Sequence, residues 1–138
     1  MSPNQSFSIM DALKFHAVGL WPHGRVNVSR TASTRRIVHE VEAAIDAAWK
    51  KLVSDRPGVK LFDGPMIRLE SHHASVDRLD LVVSPTSYRP FLGTNLTNPT
   101  LADRFGANVL ADPIGVSTSL LTSDGFLMMG RRNGWVAY

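Results

Sequence analysis

Residues 110–132, LADPIGVSTSLLTSDGFLMMGRR, form the stretch around which the rest of the chain is organised. The pattern predicts a β-hairpin with one strand over residues 116–121 and a second over residues 126–132. Asp124-Gly125 lies between the strands, and this pair favours a tight turn because both residues tolerate positive φ. Apolar residues dominate both strands, which is typical of a hairpin with at least one buried face. The preceding chain is therefore expected to supply the surface that covers the hairpin, unless the partner lies outside this chain.

The clearest predicted helix follows Ser33 and Thr34, either of which can cap its first turn. Its apolar residues recur on one stripe at helical spacing, and Pro57-Gly58 ends it. Trp49 lies on that stripe and is predicted to be a core anchor. The stripe consists of Ile37, Val38, Val41, Ala44, Ile45, Ala48, Trp49 and Leu52.

Shorter elements flank this helix. Residues 13–21 and 25–30 have strand-like patterns and are predicted to pair as a hairpin across the Pro22-His23-Gly24 turn. Residues 86–92 and 101–105 are predicted to form short helical turns, each ending at the next glycine.

A second hairpin is predicted from residues 66–71 and 76–84, in which apolar residues alternate. Its turn is expected near His72-His73. Pro85 is expected to end the second strand because proline cannot donate a ladder hydrogen bond. The predicted fold class is therefore α+β, with a mixed or antiparallel sheet, one long helix and several short helices.

The composition is that of an ordinary soluble globular protein. The chain has 138 residues, of which 43% are hydrophobic and 20% are charged, and this length can bury a core. The net charge of +3 is modest and no long basic run occurs, so a nucleic-acid partner is not expected. The absence of cysteine excludes disulfides, thiolate nucleophiles and cysteine-ligated zinc. With no evident signal peptide or membrane span, a cytoplasmic protein without a membrane partner is expected.

Residue types that could carry catalysis are scarce and scattered. The three glutamates are Glu40, Glu42 and Glu70, and the two on the helix point to different sides, so they cannot share a metal. The histidines lack metal-ligand spacing, and no nucleophile elbow, dinucleotide fingerprint or phosphate loop occurs. No catalytic and no metal-binding residue is therefore predicted. Turn and cap roles are expected for Asp63, Asp112 and Asp124.

A possible recognition surface remains in the segment TSYRPFLGTN. Tyr88 could stack on a base, Asn95 could pair with an amide edge, and Arg89 could bind a phosphate. Arg131 and Arg132 could supply a second cationic group. The alternative is structural, with Tyr88 in the core, Asn95 in a turn and the arginines solvated.

Three segments and the Trp49 helix, in order and spacing, resemble the N-terminal half of Nudix hydrolases of the UDP-sugar diphosphatase type. The segments are LFDGPMIRLES (61–71), LVVSPTSYRPFLGTN (81–95) and LADPIGVSTSLLTSDGFLMMGRR (110–132). The resemblance covers residues 34–138, which suggests one Nudix-like region preceded by an extension over residues 1–33. It implies the front half of an α/β/α sandwich and magnesium-dependent cleavage of a nucleoside diphosphate-linked compound such as UDP-glucose.

The sequence departs from the family at the catalytic segment. The family's Nudix box, Gly-x5-Glu-x7-Arg-Glu-apolar-x-Glu-Glu-x-Gly, holds the metal and activates water, and this chain contains no such segment. Mg²⁺ is thus implied by the resemblance alone, without ligands in the chain. A fragment, a truncated product and a stand-alone relative all remain open.

Two principal functions follow from this pattern. The chain is expected to be the substrate-side region of a nucleotide-sugar hydrolase, inactive alone, with Tyr88, Arg89, Asn95, Arg131 and Arg132 as its substrate contacts. The alternative is a non-catalytic interaction module whose exposed sheet edge self-associates or pairs with a C-terminal catalytic half. A basic nucleic-acid-binding domain is a third, weaker hypothesis.

Overall fold

Strands and helices occur in separate runs along much of the chain, which agrees with the predicted α+β class. A computed structural model describes residues 17–58 and 61–130. The strands are β1 (Val26–Arg30), β2 (Pro65–Ala74), β3 (Leu79–Ser87), β4 (Leu120–Leu121) and β5 (Leu127–Met128). The helices are α1 (His39–Asp55), α2 (Tyr88–Phe91) and α3 (Leu101–Phe105), with a π-helical turn at Leu92–Leu96 and a 3-10 turn at Ala107–Val109.

The larger sheet is mixed, with strand order β1-β3-β2. β1 runs parallel to β3, with Val26 opposite Leu79, and β2 runs antiparallel to β3. The outer edge of β2 is extended by a bridge between Arg68 and Pro113. Alongside it, the Ile114 N–H donates to the Ile67 carbonyl at 2.8 Å.

The predicted hairpin between residues 13–21 and 25–30 is wrong for the part described. Residues 17–22 form no strand, and the five residues of β1 pair with β3 instead and are all exposed. The intervening turn is confirmed, since Gly24 has φ +84° and the Arg25 N–H donates to the Pro22 carbonyl at 2.9 Å. The strand thus forms where its pattern predicts, with a partner more than fifty residues away. The division of the chain into an extension over residues 1–33 and a Nudix-like region from residue 34 stays a prediction.

The second hairpin is confirmed, with a shifted turn. His72 and His73 lie inside β2, and the chain turns at residues 75–78, where Ser75 Oγ accepts from the Arg78 N–H at 3.1 Å. β3 continues through Pro85, contrary to the expected stop. Proline is tolerated there because β1 pairing ends at Val83, so the following part of β3 pairs only with β2 among the described strands.

The core lies between α1 and the segments that follow β3. Val41 and Ile45 of α1 are buried with Val109. Gly93 packs so closely that an added Cβ would lie 2.5 Å from the Ile45 Cα. The prediction that Gly93 ends the short helix is wrong, since the chain continues π-helically to Leu96.

The long helix is confirmed, but it begins at His39, and its N-cap Val38 makes no side-chain capping bond. Neither Ser33 nor Thr34 therefore caps it. The predicted core anchor Trp49 is partly buried and lies 6.2 Å from Tyr88, centroid to centroid, in an edge-to-face arrangement.

The hairpin predicted within residues 110–132 forms a two-stranded sheet of its own, β4 with β5. Its turn is confirmed, with φ +87° at Gly125. Its strands have two residues each, far shorter than predicted, and both are exposed. The expected burial is therefore wrong for residues 116–130, and Arg131 and Arg132 lie outside the described residues.

The short helix at Leu101–Phe105 is confirmed, and it ends at Gly106, which has φ +88°. Across residues 17–58 and 61–130, no helix has the length and apolar character needed to cross a membrane.

Candidate functional site

A buried carboxylate on β2 is the most elaborately bonded side chain of the structure. Pairing between β2 and β3 shifts by one residue between Leu69 and Ser71, so Glu70 is the extra residue of a β-bulge. Glu70 accepts hydrogen bonds at 2.5 Å from both the Thr34 and the Ser84 hydroxyls. The Thr34 backbone N–H adds a third bond at 3.1 Å.

The charge partner of Glu70 is Arg68, two residues earlier on the same strand. The guanidinium Nη1 donates to Glu70, and Nη2 donates to Asn108 Oδ1 at 2.9 Å. Asn108 in turn donates through Nδ2 to the Thr34 carbonyl at 2.8 Å, which closes a ring of polar contacts. The Arg68 and Glu70 side chains are only 6% and 7% exposed. The ring, here called the Glu70 network, therefore ties β2, β3, the segment before α1 and the 3-10 turn together.

These bonds set the ionisation of Glu70. Burial acts in the opposite direction and raises the pKa, but hydrogen bonds from Ser84, Thr34 and Arg68 outweigh it. The pKa falls from 4.5 to about 2. Glu70 is therefore anionic at neutral pH, and its charge is matched by the neighbouring Arg68.

An open cleft of about 670 Å³ lies beside this network, between β2 and the π-helical turn. Residues 69–72 of β2 form one side, Phe91 and Asn95 form another, and residues 112–115 form the third. Four successive β2 residues border one cleft because the bulge changes the normal alternation of side chains across the strand. This space, the β2 cleft, is the candidate functional site.

One corner of the β2 cleft is fixed by Asn95. Its Oδ1 accepts from the backbone N–H groups of Ala111 and Asp112, both at 3.1 Å, and its Nδ2 donates to Asp112 Oδ1 at 2.8 Å. The buried Thr94 hydroxyl also accepts from the Ala111 N–H, at 3.1 Å. These contacts hold Asp112 at φ +38°, a left-handed conformation that Asp tolerates better than most residues.

The structure describes three of the five predicted substrate contacts and does not bring those three together at one cleft. Asn95 lies at the β2 cleft. Tyr88 contacts the rings of Trp49 and Phe91, and Arg89 pairs with Asp46 of α1. Arg131 and Arg132 lie outside the described residues, so the set as a whole stays a prediction.

Two of the three aspartates predicted in turns and caps, Asp63 and Asp124, lie at positions of this kind. Asp63 accepts from the Arg89 N–H at 2.7 Å and from the Ser87 hydroxyl at 3.0 Å, so it holds the start of α2. Asp124 lies in the turn between β4 and β5. Asp112 forms the cleft corner already described.

A second cleft, of about 440 Å³, lies between the segment before α1 and the end of β3. Among the described residues that line it, the cation is Arg35, which donates to Glu42 at 2.8 Å and to the Val109 carbonyl at 3.3 Å. Because that guanidinium already has protein partners, this second cleft is not a strong candidate for an anionic ligand.

No group of three His, Asp or Glu side chains in the described part of the chain could hold a metal ion. The two carboxylates that line the β2 cleft, Glu70 and Asp112, are bonded to Arg68 and Asn95 respectively.

Sequence reasoning missed Arg68 and Glu70. It counted Glu70 only as one of three glutamates. A local signal existed, because opposite charges two residues apart on a predicted strand share one face. Nothing in the local sequence indicates the bulge, or the contacts that Thr34, Ser84 and Asn108 make with Arg68 and Glu70.

Comparison with known proteins tests the family resemblance that the sequence suggested. No protein-family model matches the chain. Uridine diphosphate glucose pyrophosphatase NUDT22 of Mus musculus is 36% identical over 118 residues, covering 77% of this chain and 38% of that protein. The Homo sapiens protein of the same name is 36% identical over 119 residues, covering 77% and 39%. The Bos taurus protein is 35% identical over 119 residues, covering 77% and 40%.

The sequence resemblance to Nudix hydrolases of the UDP-sugar type is confirmed by these matches. The particular proteins that the chain resembles are the NUDT22 pyrophosphatases, and the chain spans about two-fifths of their length.

Proposed function

We propose that this chain is the substrate-side region of a Nudix-type hydrolase acting on nucleoside diphosphate-linked compounds such as UDP-sugars. The observation that carries the proposal is the identity of about 36% to UDP-glucose pyrophosphatases across 77% of the chain. The β2 cleft supports it, because a partly apolar cleft with a few fixed polar groups is the usual form of a small-molecule site.

Within this proposal the described residues bind and position substrate. The Glu70 network holds β2 against β3, and Asn95 holds the loop that carries Asp112, so both sides of the β2 cleft are rigid. Arg131 and Arg132 are proposed to contact the diphosphate, since arginine suits bidentate phosphate binding.

The chemical step is proposed to need groups beyond those described. Nudix-type hydrolysis relies on a divalent metal, implied here as Mg²⁺, and the described residues include no cluster of three His, Asp or Glu side chains that could hold it. We therefore propose that the chain alone binds nucleotide sugars without hydrolysing them.

Isothermal titration of the chain with UDP-glucose and UDP tests the proposal. We expect saturable heat at millimolar ligand or below, and no release of UMP when Mg²⁺ is added. Absence of binding at millimolar ligand would contradict a substrate-side role, and UMP release would contradict inactivity.

A charge-matched pair of double variants tests the arginines. R131A/R132A is expected to weaken UDP binding about tenfold or more, because charge-assisted phosphate contacts are strong. R25A/R30A removes the same charge from β1 and its preceding turn and is expected to leave UDP binding unchanged. If both double variants weaken UDP binding equally, the loss comes from the change in net charge, and direct contact of Arg131 and Arg132 with the diphosphate is contradicted.

A second candidate function is a non-catalytic interaction module. It is favoured by the exposed apolar side chains around β4 and β5, since large exposed apolar patches often mark protein contacts. Leu121 and Phe126 are each 68% exposed. Size-exclusion chromatography with light scattering separates the candidates: a concentration-dependent dimer would favour this role, and a monomer at all concentrations would exclude self-association.

A further inference from the structure

Among the residues that the structure describes, the lining of the β2 cleft carries two carboxylates, Glu70 and Asp112, and neither lysine nor arginine. The Arg68 guanidinium offsets Glu70, but Nη1 and Nη2 are already bonded to protein oxygens, and Nε donates to the Leu110 carbonyl at 3.4 Å. A diphosphate placed here would meet negative charge without a cation of its own, which is unfavourable. An uncharged ligand bearing hydroxyl groups would not meet this repulsion.

Asp112 is placed to accept hydrogen bonds from such a ligand. Its Oδ1 is bonded to Asn95 Nδ2 at 2.8 Å, and within the described part of the chain its second carboxylate oxygen has no protein partner. Asp112 is partly buried and lines the β2 cleft. A carboxylate oxygen held in this way accepts strongly from hydroxyl donors.

The rest of the lining suits the same ligand. Ser71 and His72 add groups that exchange hydrogen bonds with hydroxyls. Phe91, Leu69 and Ile114 add apolar surface against which the C–H faces of a sugar ring can pack. The lining thus alternates apolar and hydrogen-bonding groups, as the surface of a sugar does.

We propose that the β2 cleft binds the uncharged sugar part of a nucleotide sugar, with Asp112 accepting from its hydroxyls, while the diphosphate lies outside the cleft. This inference rests on the proposed function and deepens it. The hydroxyl-bearing group is either the ribose of the nucleoside or the hexose attached to the diphosphate, and both share the chemistry that the cleft offers.

Asp112→Asn is the test variant. Asparagine tolerates the left-handed backbone at this position and keeps a side-chain oxygen for Asn95, so the corner should survive while the charge is lost. Asp103→Asn on α3 is the matched control, because it removes the same charge from a residue that does not line the cleft. Ser71→Ala is a second cleft variant that leaves Asn95 and Asp112 untouched.

The measurement is isothermal titration with UDP-glucose and with inorganic diphosphate. Asp112→Asn is expected to weaken UDP-glucose binding about tenfold, the effect of one charge-assisted hydrogen bond, without weakening diphosphate binding. Ser71→Ala should weaken UDP-glucose in the same direction, and Asp103→Asn should leave it unchanged. Unchanged UDP-glucose affinity in both cleft variants, or equal loss in the control, would overturn the inference.

NMR titration of the unmodified chain with uridine and, separately, with methyl glucoside identifies which sugar enters. Shifts of the Asp112 and His72 amides by uridine assign the ribose, and shifts by the glucoside assign the hexose; either result supports the inference.

If UDP-glucose binds but the cleft amides respond to neither sugar, the inference fails and the proposed function stands. If a sugar shifts those amides but UDP-glucose does not bind, the proposed function fails and the cleft remains a sugar site. If neither occurs, both are overturned.

Discussion

The Glu70 network and the β4–β5 hairpin reverse the burial that their side chains would suggest. Arg68 and Glu70 carry full charges, yet their side chains are 6% and 7% exposed. Leu121 and Phe126 are large and apolar, yet each is 68% exposed. The difference is convergence: several segments meet at Glu70 and supply a hydrogen bond for each polar atom, whereas the hairpin forms its own two-stranded sheet. Burial in this protein follows from what surrounds a residue, more than from the residue's hydropathy.

Breaking the ion pair of the network should have the largest effect. Glu70→Gln leaves Arg68 buried without its carboxylate, and we expect the free energy of unfolding to fall by about 3–5 kcal/mol. Urea unfolding followed by tryptophan fluorescence measures this. The matched control is Asp55→Asn, which removes an exposed pair with Lys51 and should cost less than about 1 kcal/mol. Similar losses in both variants would show that the buried pair is no more important than a surface one.

Acid should weaken the same region without any mutation. Because folding lowers the pKa of Glu70 from 4.5 to about 2, its contribution is fully present above pH 4.5. This contribution is lost as the pH falls through the pKa of Glu70 in the folded protein, because Glu70 is then protonated in both the folded and the unfolded state. The contribution is about 3 kcal/mol. Urea unfolding measured at a series of pH values from about 6 down to roughly 2 tests this. Glu70→Gln should lack this part of the acid dependence, and parallel curves for the two proteins would contradict the assignment.

Close packing between α1 and the π-helical turn should give an intermediate effect. Gly93→Ala places a methyl group 2.5 Å from the Ile45 Cα, so α1 or the π-helical turn must move. We expect a loss of about 1–3 kcal/mol in the free energy of unfolding. Gly115→Ala is the control, since an added Cβ there meets nothing within 4 Å. Equal thermal stability of the two variants would indicate that α1 packs less tightly than described.

The hairpin should give the smallest effect. Phe126→Ser is expected to change the free energy of unfolding by no more than about 0.5 kcal/mol, because an exposed side chain loses little packing. Val41→Ala in the core should cost about 2 kcal/mol by comparison. A comparable loss for Phe126→Ser would mean that the hairpin is covered in solution, and the contrast between the two regions would not hold.

Most local features were predictable from the sequence. The turns at Gly24, Gly106 and Asp124-Gly125 form where predicted, because each depends on a backbone preference of one or two residues. The helix that contains Val41 and Ile45 also follows from local spacing, as does the α+β class.

The site was less predictable. Of the three inferred substrate contacts that the structure describes, Asn95 lies at the β2 cleft, whereas Tyr88 and Arg89 contact α1 or its neighbours. Residue type shows what a side chain can bind, but the direction of that side chain depends on the elements packed against it.

The sequence by itself determined the turns at Gly24 and Asp124-Gly125, the long helix that contains Val41 and Ile45, and which family the chain resembles. These are local preferences and residue identities. The tertiary structure decided that β1 pairs with β3, that Glu70 forms a bulge, and that Asn95 fixes Asp112 beside a cleft. Each of these depends on hydrogen bonds between residues far apart in the chain, and such bonds form only when the folded segments bring the partners together.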